Sequence, residues 1–196
     1  MHINKIILAS KNLHKLAEVQ EIFKKYYYKI LPMPEFISEP EETGITFEEN
    51  ALIKAYHTAK YVEFPVIADD SGLEIDALSG EPGIFSSRYA GKNAAAKDNI
   101  EKVLHKLKNI SKNQRSARFH CVVVYIQDQN DKSPIICHAT WEGSILLAPQ
   151  GSNGFGYDSI FYVPTHDCSA AELLPQIKNQ ISHRGQALKK IIKALK

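Results

Sequence analysis

Residues 6–9, Ile-Ile-Leu-Ala, form a short apolar run that passes through the polar stretch Ser10–Lys15 into a segment with Leu16, Val19, Ile22 and Phe23 on one helical face. The run reads as a buried strand, and the spacing after it as an amphipathic helix. A strand that feeds a helix in this way must bury both in one core, so this part of the chain is layered α/β structure. The alternation continues. Thr46-Phe-Glu-Glu49 is a capping box opening a helix to about Val62, with Phe47, Leu52, Ala55 and Ala59 near one face. Val66-Ile67-Ala68 is an apolar strand ending in Asp69-Asp70-Ser71-Gly72, and Leu73-Glu74-Ile75 reads as a further strand before the turn Gly80-Glu-Pro-Gly83. Asp98–Leu107 is a helix, and Arg118–Ile126 and Pro134–Trp141 are neighbouring strands joined by the polar loop 127–132. Ile145–Leu147 is another strand, followed by the glycine-rich loop 149–158. Ser169-Ala-Ala-Glu172 is a second capping-box pattern, and the last helix starts near His183. Hairpin-compatible strands among helices predict an α/β fold with a mixed sheet and flanking helices.

A chain of 196 residues suits one domain, or two lobes sharing a core, over 1–196 without a separable linker. The balance of 24 basic against 22 acidic residues argues against a nucleic-acid coat or a polybasic membrane binder. The longest apolar run, Cys121–Ile126, is far short of the roughly 20 residues that span a bilayer. Met1-His-Ile-Asn-Lys5 runs straight into the first strand, so no signal peptide is expected. Cys121, Cys137 and Cys168 match neither a disulfide framework nor a zinc site, which points to the cytoplasm.

Five segments stand out chemically. Ser10, Lys11, Asn12, Leu13, His14 and Lys15 lie between a buried strand and a helix start, where backbone N–H groups and a lysine can hold phosphate; they equally suit a capped helix with solvated lysines. The sequence lacks the spacing of a P-loop. Asp69 and Asp70, at a strand end, can hold Mg²⁺ and position a water, although Asp, Ser and Gly also make ordinary turns. The acidic pair Glu41-Glu42 can add oxygen ligands or simply be solvated. In Gly151–Asp158, Phe155 or Tyr157 can stack on a base, Asp158 can accept from a ring N–H, and Gly156 lets the backbone approach closely. Lys178, Ser182, His183 and Arg184 form a compact set of donors, or the cap of the last helix. His120 and His138, in strand patterns, read as packed or solvent-facing rather than as ligands.

In order along the chain, these segments resemble the inosine triphosphate pyrophosphatase family, the Ham1/RdgB-like non-standard purine nucleoside triphosphate pyrophosphatases, and look nearest to its bacterial branch. The matching stretches are Ile7–Lys15, Glu41–Ala51 with Lys54, Ala68–Leu73, Gly83–Gly91, Ala117–Cys121, Gly154–Asp158, and Ala171-Glu172 through Lys178 to Ser182-His-Arg184. Lys11 and His14 stand where the family usually carries glycines. The resemblance implies two lobes with an active-site cleft between them, a homodimer, and one or more divalent ions such as Mg²⁺ per subunit. It implies hydrolysis of ITP, dITP and XTP or dXTP to the monophosphate and pyrophosphate, which cleanses the nucleotide pool and keeps these bases out of DNA and RNA.

The expected chemistry is attack of water on the α-phosphorus. Asp70 orients and deprotonates the water and joins Glu41 as a metal ligand, with Glu42 and Asp69 as further candidates for the same site. Lys15, Asn12 and the helix start hold the triphosphate, with Lys54 and Ser71 assisting. Phe155, Gly156, Tyr157, Asp158, Lys178, His183 and Arg184 meet the base, where fixed donors favour a 6-keto purine over adenine. Two other readings compete. One is a Maf-like pyrophosphatase acting on pyrimidine or modified nucleotides. The other is a non-catalytic nucleotide-binding module. No nucleic-acid or membrane partner is expected.

Overall fold

A computed structural model describes residues 4–196. The start of the leaderless reading, Met1–Ile3, lies outside the described residues. The strands are β1 Asn4–Leu8, β2 Tyr28–Pro32, β3 Val66–Ile75, β4 Ser116–Ile126, β5 Ile135–Ile145, β6 Phe161–Val163 and β7 Cys168–Ser169. The helices are α1 Leu13–Phe23, α2 Phe47–Ala59, α3 Ala96–Lys106, α4 Pro175–Ile181 and α5 His183–Ala194. The strands form one sheet in the order β2-β1-β3-β4-β5-β6-β7. β1 runs parallel to β2 and β3, whereas β6 is antiparallel to β5 and β7, so the expected mixed sheet is present.

The chain divides into two compact units, one of Met1–Asp70, Cys121–Ala139 and Arg184–Lys196, the other of Ser71–His120 and Thr140–His183. In the first unit, successive side chains along a strand point to opposite faces, and each face has its own helices. Ile6, Leu8, Ile67 and Val123 pack with Val19 and Phe23 of α1 and Leu188 and Ile191 of α5. Ile7, Ala9, Val66, Ala68 and Val124 pack with Ala51, Ala55 and Ala59 of α2. Thr46 caps α2 as read, its hydroxyl accepting from Glu49 N–H at 3.1 Å. Glu49 reaches back one residue further than expected, to the N–H of Ile45 at 2.7 Å. In the second unit, Leu73, Ile75, Phe119, Trp141, Ile145, Tyr157, Phe161 and Val163 form a core with Val103 of α3.

Three expectations need correction. Asp69–Gly72 is not a turn beyond a strand but the middle of β3. Ion-pair partners engage the Asp69 and Asp70 carboxylates, so these do not fold back onto their own backbone as turn residues do. Leu146 and Leu147 lie beyond the end of β5, and Leu147 is exposed. The Ser169–Glu172 pattern closes a local turn, Glu172 accepting from Ser169 N–H at 2.7 Å, while α4 starts only at Pro175, whose ring suits a first helical position.

Phe161 is fully buried, with ring centroids 4.6 Å from Phe119 and 5.2 Å from Trp141. Phe161→Ala removes contacts on both and leaves a cavity. The expected loss is about 3–5 kcal/mol, read as a lower urea midpoint at unchanged slope.

Candidate active site

Asp69 and Asp70 are adjacent on β3 and therefore face opposite sides of the sheet. Both are buried, at 3% and 6% exposure, so each requires a cationic partner. Asp69 Oδ2 pairs with Lys15 Nζ at 2.9 Å and accepts from Arg184 Nε and Nη2 at 3.3 Å. Arg184 Nη1 donates to Glu18 Oε2 at 2.6 Å. Lys15 and Glu18 sit three residues apart on α1, the spacing that puts side chains on one face. Burial works against the Asp69 charge, but Lys15, Arg184 and Lys54 outweigh it and hold its carboxyl well below the usual carboxylate range. Burial likewise opposes the Arg184 charge, and Asp69 and Glu18 more than restore it. Among the described residues the second oxygen, Asp69 Oδ1, has no hydrogen-bond partner although it is buried.

Asp70 takes the other face. Lys54 Nζ of α2 donates to Asp70 Oδ1 at 2.6 Å and to Glu42 Oε1 at 3.1 Å. Burial pushes the Asp70 carboxyl upward, Lys54 opposes this, and Glu42 adds to the rise. Burial lowers the Lys54 value, but Asp70, Asp69 and Glu42 raise it further. Burial, with Glu42 sharing the one ammonium, leaves Asp70 more basic than an ordinary surface aspartate.

At the start of α1 the side chain of Asn12 turns inward. Its Oδ1 accepts from the N–H groups of His14 at 2.9 Å and Lys15 at 3.1 Å, and Ser10 Oγ accepts from Asn12 N–H at 3.1 Å. Lys11 is tied to the acidic segment, its N–H to Glu39 Oε1 at 2.9 Å and its Nζ to the Glu35 carbonyl at 3.3 Å. Lys11, Asn12, Leu13 and His14 are exposed, whereas Ser10 and Lys15 are half-buried.

Among the described residues no three His, Cys, Asp or Glu side chains gather as a metal cluster. A smaller donor set is present, because the Asp70 and Glu42 carboxylates converge on one cation, Lys54 Nζ. Oxygen-only donors suit Mg²⁺, which keeps several waters and needs few protein ligands, so these residues fit that ion. Glu41 is exposed, and Glu42 is the member of the acidic pair joined to Lys54.

In the second unit Asp158 organises the glycine loop. Its Oδ2 accepts from Lys178 Nζ at 2.5 Å and from Phe155 N–H at 2.9 Å. Lys178 Nζ also lies 4.9 Å from the Phe155 ring centre. Gly154 has φ +73°, and a Cβ there would run into Asp158 Oδ2. Tyr157 is a core residue, its hydroxyl donating to the Ser86 carbonyl at 2.8 Å, which leaves the half-buried Phe155 as the ring able to meet a ligand. The His183 ring stacks on Phe119 at 4.6 Å. Ser71 and Gly156 are half-buried.

The expected site residues thus gather into two sets, Lys15, Lys54, Asp69, Asp70 and Arg184 in the first unit and Phe155, Asp158, Lys178 and His183 in the second. Arg184, expected beside the base, is clamped on Asp69 and Glu18. Sequence reasoning missed Glu18, which its spacing from Lys15 on one helix could have flagged, and quoted Phe119, a core residue, only within the stretch Ala117–Cys121.

The model of the Ham1 family matches residues 6–194. A Coxiella burnetii protein named dITP/XTP pyrophosphatase is 56% identical over 187 residues, covering 95% of this chain and 94% of that one. A Vibrio cholerae protein of the same name is 50% identical, covering 98% and 97%. The solved structure of a HAM1 protein from Coxiella burnetii superposes with TM-score 0.89 at 54% identity over 98% of each chain, and the Staphylococcus aureus Ham1 protein with 0.84 at 43% over 98% of each.

Asp158→Asn takes the Asp158 carboxylate away from the buried Lys178 ammonium. Removing one partner of such a pair costs about 3–5 kcal/mol, and ~2–4 °C per kcal/mol for a chain of this size gives a Tm roughly 6–20 °C lower by calorimetry.

Proposed function

This chain belongs to the Ham1 family, and we propose that it hydrolyses non-standard purine nucleoside triphosphates, ITP, dITP and XTP or dXTP, to the monophosphate and pyrophosphate. Such an activity removes these nucleotides before they enter DNA and RNA. The observation that carries the reading is the set of three basic groups, Lys15, Lys54 and Arg184, held around two buried adjacent aspartates. A triphosphate needs cations to neutralise it, and water attack needs a carboxylate that accepts a proton.

In the proposed reaction Lys15 and Lys54 neutralise the phosphates, with Ser10, Lys11, Asn12, Leu13 and His14 lining their approach and Ser71 donating to a phosphate oxygen. Asp69 stays ionised and anchors Lys15 and Arg184. Asp70, with its raised proton affinity, orients the attacking water and takes its proton. Mg²⁺ would be held by Asp70 together with Glu42 or the neighbouring Glu41, and would supply charge neutralisation on the phosphate oxygens. Phe155 stacks on the base, while Lys178 and His183 present donors to the 6-keto oxygen. Adenine offers an amino group there and leaves those donors unpaired, a mismatch that discriminates by ~10⁴ or more where the pairing is buried. Gly156, Tyr157 and Asp158 give the loop its shape.

The proposal includes a homodimer, which rests on the family resemblance alone, and a cytoplasmic setting. Three free cysteines accord with a reducing compartment. Among the described residues no helix is long and apolar enough to cross a membrane. A net charge of +2 gives no reason to add a nucleic-acid or membrane partner.

Pyrophosphate release should be measured with Mg²⁺ on ITP, dITP, XTP, ATP, GTP, dTTP and UTP. Turnover of the first three is expected to dominate, and Asp70→Asn should reduce it by ~10²–10⁴. Turnover of dTTP or UTP with none of ITP would favour a pyrimidine pyrophosphatase. Near-normal turnover by Asp70→Asn would remove Asp70 from proton transfer.

A further inference from the structure

The stretch Ala117-Arg-Phe-His-Cys121 on β4 has no role in the reaction just described. Its side chains alternate. Arg118 bonds Asp76 at 2.8 Å and Glu142 at 3.1 Å, and His120 pairs with Glu74 at 3.0 Å. Phe119 faces the opposite side, and there it meets His183. The two ring centres are 4.6 Å apart and the planes differ by 12°. Trp141 of β5 lies 6.2 Å from the same imidazole, its plane within 23°. Phe161 packs at a tilt against both Phe119 and Trp141. His183, Phe119 and Trp141 are all at least nine-tenths buried.

The N–H bonds of an imidazole lie in the ring plane, so whatever fixes the plane fixes their direction. A hydrogen bond weakens steeply as its donor angle falls. A near-parallel neighbour stops the histidine from swinging out of plane, and the braced Trp141 and Phe161 stop that neighbour from following. We propose that Phe119, backed by Trp141, is a positioning residue that sets the donor direction of His183 and through it the preference for a 6-keto purine. The inference rests on the proposed role of His183 at the base and deepens it. Phe119 touches neither substrate nor metal in this account.

The test compares kcat/KM for ITP and ATP in the wild type, Phe119→Leu, Phe119→Tyr, His183→Ala and the Phe119→Leu/His183→Ala double variant. Phe119→Leu is expected to lower the ITP:ATP ratio about tenfold, within the range a single lost specificity contact produces. Phe119→Tyr keeps the ring and should hold the ratio within about twofold of wild type. On the His183→Ala background Phe119→Leu should change the ratio no further, because the two residues act as one unit. A purely packing role would lower the rate on both substrates together and leave the ratio unchanged, which would overturn the inference. An equal further fall on the His183→Ala background would overturn it too. Should His183→Ala itself leave the ratio unchanged, the base-reading role of His183 fails and the inference with it. A lowered ratio in His183→Ala with none in Phe119→Leu rejects the inference alone. If Phe119→Leu does not fold, Phe119→Met, which keeps bulk without a ring, carries the same comparison.

Discussion

Two adjacent carboxylates are buried in the middle of a strand, and much of the first unit answers that constraint. A buried aspartate without a cation would neutralise or unfold its surroundings. Because Asp69 and Asp70 face opposite sides of β3, the answer cannot come from one helix. Asp69 draws Lys15 from α1 and Arg184 from the start of α5, while Asp70 draws Lys54 from α2. The same helices supply the two apolar layers that cover the sheet. Packing and charge pairing therefore specify one arrangement.

The two aspartates are not equivalent. Asp69 faces two cations, one of them backed by Glu18, and is strongly favoured in its charged form. Burial drives Asp70 the other way, and Glu42, which shares its ammonium, adds to the rise. Environment thus separates a carboxylate that anchors from a carboxylate suited to move a proton, from two copies of one residue type. The second unit uses a related device. The buried Asp158–Lys178 pair gathers the Phe155 backbone and ring into a single cluster, and the glycine at 154 leaves room for that carboxylate.

The layering was legible where periodicity was strong: Ile6–Ala9, the α1 face, the Thr46 cap and the long strands around Val123 and Ala139. It failed where residue type misleads. Asp-Asp-Ser-Gly carries turn chemistry, and only partners distant in sequence keep it extended. Ser169–Glu172 closes like a capping box because the same side chain–backbone bond can close a turn. β7, at two residues, is too short to have a period, and β2, whose middle residue is its one buried position, shows no alternating face to read. At the site, residue types drew attention to Lys15, Asp70, Asp158 and Lys178, because charged residues beside apolar strands and glycine loops are informative by themselves, whereas Lys54 entered only with the family resemblance. Which carboxylate meets which cation was not legible. Arg184, read as a base donor, bonds Asp69 and Glu18, and Glu18 and Phe119 gain meaning only from what packs on them.

The division of labour between the aspartates is tested most directly by calorimetry on Asp69→Asn and Asp70→Asn side by side, without nucleotide. Asp69→Asn takes from Lys15 and Arg184 the anion they share, so its Tm should fall by roughly 6–20 °C, the range for breaking a buried pair. Asp70→Asn leaves Lys54 with Glu42, and its Tm should move much less. An Asp70→Asn loss as large as that of Asp69→Asn would contradict the account, because the carboxylate assigned to proton transfer would then be the one holding the unit together.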